Sequence, residues 1–367
     1  MGLFNTSDLT LDREDIKDLS EAILSKYYEK PGIGDFHTLI KGIKHEKQLA
    51  IIGLFEGLSG KAKTTCGMTP NDGQIRSIDK TWTPKRIGDR FDQCADDLIE
   101  TFFVWGLKPG VNKEDLGGTE FAVFLEERIA DVMMDGVFRH AWFGDTAAAN
   151  YNSSPAGVIK NGTDLGYFNV IDGLFKQMFA IVAADNTRKT TGPTENLATK
   201  NAKSTYALQR FNDTDTSNQL VTKVLDTMVT DADERLTSGS ETPIFLVTKS
   251  VADQYKRERK FAFPSIDMAY ERIENGILTL KSDGYTLIVF SFWDRMINQY
   301  FNDGTKWYLP HRIVFAAKSN VLIGTEEEKT LTELKAYYTE DTEKFTWKYA
   351  YNLDAKFGDD DLLQFAY

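Results

Sequence analysis

The side chains that could do chemistry in this sequence are few and far apart. Its four histidines, His37, His45, His140 and His311, include no pair a helical turn apart, so the H-E-x-x-H geometry that places two imidazoles on one zinc ion is absent. No G-x-S-x-G elbow is present to lift a serine toward a histidine, and nothing in the spacing suggests a Ser–His pair. GLFEGLSGKAK approaches a phosphate-cradling loop, but Gly53 and Gly57 are out of register with Gly60-Lys61, and Ala62 stands where a magnesium-binding hydroxyl would be needed. Cys66 and Cys94 lack the close spacing of a zinc knuckle and the density of a disulfide scaffold.

The remaining polar signals read as structural. Asp96-Asp97, Glu326-Glu327-Glu328 and Asp359-Asp360-Asp361 are expected to be solvated ends of elements, because adjacency along a chain does not set the separation of two catalytic carboxylates across a pocket. His140 is expected to sit at a helix C-terminus as a partner of its dipole, and His311 at a strand edge. WFGD at 142–145 should close a helix, with Gly144 just past its end. No catalytic residue, metal or cofactor is expected.

Composition narrows the partners. The 367 residues carry 43 basic and 55 acidic side chains, a net charge of −12. Neither KGIKHEK (41–47) nor KRERK (256–260) is basic enough to grip nucleic acid without regard to sequence, and both are expected to be solvated faces. The first residues, MGLFNTSDLTLDREDIKD, have no basic start and apolar run, and no stretch reaches the ~18–20 apolar residues of a membrane span. A soluble chain of two domains, or of one core with long excursions, is expected.

The elements follow from periodicity. Thr10 caps a run in which Ile16, Leu19, Ile23 and Tyr27 recur at helical spacing as far as Pro31. Between 48 and 95, QLAIIGLF and IRSIDKTWTPKRIGDRFDQC flank a turn signal, Asn71-Asp72-Gly73, and should pair as a long hairpin too poor in apolar side chains to stand alone. TEFAVFLEERIADVMMDGVFRHAWFGD should hold a helix of about 22 residues, roughly 33 Å long. IDGLFKQMFAIVAA (171–184) reads as a buried helix, 185–216 as loop and SNQLVTKVLDTMVTDADERL as one helix. PIFLVT (243–248) reads as a buried strand before the helix KSVADQYKRER, and NGILTLKSDGYTLIVFSFWD as a hairpin turning at Asp283-Gly284. In RIVFAAKSNVLIGT two strands flank KSN, and Phe345, Trp347, Tyr349 and Tyr351 alternate along a last strand.

In that order, these pieces resemble the major capsid proteins of tailed bacteriophages, the Hong Kong 97-type fold. WTPK, RHAWFGD and SFWDR are similar in texture to capsid proteins of phages of Bacteroidetes. The resemblance implies an α+β fold. Residues 1–45 would be an N-terminal arm, 46–98 an extended E-loop hairpin, 99–165 a peripheral domain with a long spine helix, 166–310 an axial domain and 311–367 the return to the peripheral domain. It implies a homo-oligomer, hexamers and pentamers in an icosahedral shell assembled in the bacterial cytoplasm. That shell would enclose double-stranded DNA without sequence-specific or membrane contact, alongside portal, scaffold or decoration proteins. No residue can be matched to the lysine or asparagine through which some relatives crosslink. On this reading Trp82, Arg86, Arg90 and Asp92 are the expected intersubunit contacts, the aromatic for buried area and the charges for register. The alternatives are an encapsulin-type shell and an α/β hydrolase using acidic residues.

Overall fold

The computed structural model describes residues 36–43, 47–56, 74–94, 135–196, 205–265, 269–272, 278–326, 335–339 and 344–367. The helix expected after Thr10, the turn at 71–73, and most of the helix expected over 119–141 lie outside them. Of the last, residues 135–143 are helical.

Two sheets share one core. The first contains β1 (Thr38–Ile40), β11 (Val321–Thr325), β13 (Lys344–Phe357) and β12 (Lys335–Thr339) in that order, and β4 (Lys85–Cys94) also pairs with β13. The second runs β5 (Lys189–Thr190), β14 (Leu363–Ala366), β10 (Ile313–Ala316), β6 (Ile244–Val247), β9 (Tyr285–Val289), β8 (Leu278–Ser282) and β7 (Glu271–Arg272). A third, two-stranded sheet is formed by β2 (Lys47–Glu56) and β3 (Gln74–Trp82).

In β10 and β14 all four residues are buried, as expected for strands covered on both faces. Alternation divides them. Val314, Phe365, Leu246 and Ile288 face one cluster, which also takes Ile323, Tyr351, Leu353 and Phe357 of the first sheet. Phe315, Phe245, Leu287 and Val289 face a second cluster with Val224, Met228 and Tyr255. The first cluster joins the two sheets into one body.

Among the described residues, helix 135–143 and four further helices cover them: α1 (Leu174–Ala184), α2 (Leu220–Asp231), α3 (Lys249–Ala262) and α4 (Ser291–Tyr300). A short helix, Asp213–Ser217, stands at the end of the stretch expected to be loop, and the helix expected over 217–236 follows it in two pieces, α2 and Glu234–Thr237. Gln219 at φ 54 breaks the first junction. α1 starts at Leu174 and is not buried all round: Leu174, Phe175, Met178 and Val182 face inward, while Ala180, Ala183 and Ala184 are exposed.

The KRERK face is not wholly solvated either. Glu258 is fully buried and accepts from the Val221 and Thr222 backbone N–H groups at the start of α2. The acidic run 359–361 is a second departure, since each of its residues has a partner. Asp361 binds Arg188 at 2.9 Å, Asp360 binds Lys80 at 2.5 Å, and the Asp359 backbone N–H donates to Asn320. The run fixes the crossing from β13 to β14, so Ile313–Ala316 and Leu363–Ala366 lie in the seven-stranded sheet while β11 to β13 lie in the other.

Candidate assembly interface

The hairpin of β2 and β3 pairs with no third strand among the described residues, so its position depends on its foot. There the chain leaves Trp82, passes Thr83-Pro84 and begins β4, which pairs with β13 over Leu353↔Lys85 to Lys344↔Cys94. The segment expected to be one hairpin strand is therefore two strands in two sheets. Pro84 has no N–H to continue a ladder, and the Thr83 N–H donates instead to Asp354 Oδ2 at 2.8 Å.

Trp82 is 1% exposed and packs with Ile43 and Leu322. Its ring lies over Gly324, where a Cβ would stand 2.8 Å from the Trp82 Cζ3 and 2.8 Å from the Ile43 Cδ1. Lys80, one turn of the pleat earlier, donates to the Phe357 carbonyl at 2.7 Å as well as to Asp360. Asp354 is 3% exposed; burial raises its carboxyl above the ordinary value, opposed by Lys356 at 3.5 Å. An indole, a buried acid and a lysine thus clamp the hairpin to β11 and β13 of the five-stranded sheet.

Of the four residues expected at intersubunit contacts, Trp82 turns inward and fills this chain's own cavity. Arg86 and Arg90 are exposed on β4, opposite Asn352 and Lys348 of β13. Asp92 lies opposite Thr346 in the same ladder. Alternation places Arg86 and Arg90 on one face of the strand.

The motifs 139–145 and 291–295 meet in the core. Trp142 and Trp293 pack edge to face at 4.6 Å, with Phe175 and Phe290 at 4.8 and 5.1 Å from Trp293. Phe36 and His37 join them: the Trp142 Nε1–H donates to His37 Nε2 at 3.1 Å. His140 is 3% exposed, and burial, then the charge of Arg139, lower its pKa to about 3. It is therefore neutral at physiological pH and cannot serve as the cationic dipole partner expected from its place.

His311 is likewise not a strand-edge residue. It is 3% exposed, and its Nδ1 lies 2.8 Å from Ser250 Oγ, a Ser–His contact that no spacing in the sequence indicated. Its Nε2 faces the Gln209 carbonyl at 2.7 Å, so a neutral ring donates there and accepts from the serine. The N–H groups of Lys249 and Ser250, the natural oxyanion donors at the start of α3, are taken by the Asp294 carboxylate. The constellation ties α3 and α4 to the segment that enters β10, with both of these N–H donors already occupied.

Burial raises Asp294 to about 6, against three backbone hydrogen bonds that lower it. Its folded pKa is above its unfolded one, so the native state binds the extra proton between about pH 6 and 4, and this group's contribution to stability grows as pH falls through that window. Urea midpoints measured from pH 7.5 to 4.5 should fall further on the acid side in Asp294→Asn than in the wild type. Parallel profiles would contradict the assignment.

This mixed arrangement of helices and sheets has a Hong Kong 97-type fold. One solved structure supports that fold. A chain of the satellite phage P4 procapsid including size determination (Sid) protein is 10% identical, covers 100% of this chain and 91% of its own, and superposes with a TM-score of 0.54. The capsid of the native GTA particle (10% identity, 91% and 88% covered, TM-score 0.46) and the holo-SrpI encapsulin complex from Synechococcus elongatus (9%, 92% and 86%, 0.44) score too low to carry an argument. At such identities the likeness establishes the fold alone. No protein-family model and no curated protein sequence matches the chain.

Proposed function

We propose that this chain is a major capsid protein that self-assembles as hexamers and pentamers into an icosahedral shell around a double-stranded DNA phage genome. One observation carries the reading: a body of this fold holds out a two-stranded ribbon, clamped at its foot, that pairs with no other strand of its own among the described residues. Such a ribbon is marginal in water by itself and gains its remaining contacts from neighbours. Arg86, Arg90 and Asp92 are placed on this reading at the contact between copies. Portal, scaffold or decoration proteins, assembly in a bacterial cytoplasm and an origin in a phage of Bacteroidetes belong to the same proposal; the last is supported by WTPK, RHAWFGD and SFWDR alone.

Purified chain should form shells, capsomers or sheets in sedimentation and negative stain. A single small species at all concentrations sinks the proposal. Reversing Arg86 and Arg90 together to glutamate should lower particle yield about tenfold, and a fall in the unfolding midpoint large enough to account for that loss would count against the contact. Particles from the native source should protect DNA from nuclease; protected enzyme cargo instead would mark an encapsulin.

A further inference from the structure

A groove of about 500 Å³ runs between α1, the loop 144–159 and segment 301–312. Ala148, Val158, Phe179 and Tyr308 form its apolar walls, and Arg312 lies at its base. Arg312 is 2% exposed, yet no carboxylate pairs with it among the described residues. Its Nε and Nη2 donate to the Leu309 and Tyr308 carbonyls at 3.0 and 3.2 Å, and its guanidinium stacks 4.3 Å from the Phe175 ring and 5.3 Å from that of Phe143.

Burial lowers its pKa to about 10, which leaves it charged at neutral pH. The other two charges lining the groove cancel, because Lys176 and Asp145 pair at 2.8 Å. With +1 from Arg312, +1 from Lys176 and −1 from Asp145, the groove carries +1 in a chain of net charge −12. Two carbonyls and two ring faces solvate a guanidinium incompletely. Three of its five N–H groups have no acceptor among the described residues, and an unneutralised buried cation is costly unless a carboxylate reaches it.

We infer that this groove receives an aspartate or glutamate side chain, carried on an apolar stretch, from a second copy of this chain. The inference rests on the shell reading, which brings copies into contact. A local positive site in an acidic chain attracts another copy's surplus carboxylates, and a planar guanidinium takes a carboxylate through two parallel hydrogen bonds. The rim is open to a close approach, since Ala147 and Ala180 are exposed.

The test places charge and a photo-crosslinker at Ala180, whose exposure on α1 leaves folding undisturbed. Ala180→Glu should lower the yield of assembled particles at least tenfold, Ala180→Lys should leave it unchanged, and both should unfold at the wild-type midpoint. Benzoylphenylalanine at Ala180 in assembled particles should crosslink between copies, to peptides containing aspartate or glutamate. Equal yields for the two Ala180 variants, or crosslinks confined to one chain, overturn the inference while wild-type particles still form. If the wild-type chain forms no particles, the shell reading fails and this inference falls with it.

Discussion

Replacing Trp82 by alanine should destabilise the chain by about 3–5 kcal/mol and abolish assembly, the largest effect expected of any single truncation at the hairpin foot. The indole is 1% exposed and is enclosed by Ile43, Leu322 and the bare backbone of Gly324. Removing it leaves a cavity that cannot collapse, because Gly324 is held in register on both sides, by Ile40 of β1 and Asp354 of β13. It also frees the hairpin from the sheet, leaving Lys80 and Thr83 to hold it through polar contacts alone. Trp82→Phe should recover more than half of the loss in a urea titration and restore part of the assembly. An alanine variant with a wild-type midpoint and normal particles would refute the clamp.

The second large effect is expected where two glycines meet. Gly173→Ala should cost about 3 kcal/mol, because its new Cβ would stand 2.8 Å from Gly144 N, 2.8 Å from the His140 carbonyl oxygen and 3.0 Å from that of Ala141. Gly144→Ala meets the Ile171 and His140 carbonyl oxygens at 2.5 and 2.6 Å. All of these are backbone atoms that cannot rotate away. The Gly173 N–H donates to the Gly144 carbonyl at 2.8 Å, so the end of helix 135–143 and the start of α1 touch through bare backbone.

A useful control is Gly162, at φ +82 with open space around its α-carbon. Its alanine variant should lose only about 1–2 kcal/mol through backbone strain. If Gly162→Ala cost as much as Gly173→Ala, steric closeness would not be the cause. Gly144 thus serves a different end from the left-handed C′ residue its place in WFGD suggests: it is needed for lack of room.

The hairpin at 278–289 was legible because Asp283 and Gly284 take the positive φ values, 46 and 92, that its turn demands. PIFLVT was legible because a short apolar run bounded by polar residues has few alternatives, and β6 occupies Ile244–Val247. Helix α3 followed from its spacing, but the burial of Glu258 within it did not, since its acceptors' partners come from the start of α2, thirty-six and thirty-seven positions earlier.

The candidate interface was legible in part. The exposed charges Arg86 and Arg90 could be placed on a strand from local pattern, whereas the direction of Trp82 could not. Tryptophan suits a contact between copies and a cavity within one equally well, and the choice was made by Gly324, over two hundred residues away. The Ser250–His311 contact, the neutral His140 and an Arg312 with no carboxylate partner among the described residues have the same origin.

Sequence by itself determined many of the strands and helices among the described residues, because periodicity and turn chemistry act over a few residues, but not the break at Gln219 or the helix Asp213–Ser217. Tertiary structure alone decided that β3 and β4 part into separate sheets, that β14 enters the seven-stranded sheet, and which polar groups are buried. Strand edges and desolvated charges take their partners from residues hundreds of positions apart, as when Lys80 reaches Phe357 and Asp360, and no local pattern encodes a partner at that range.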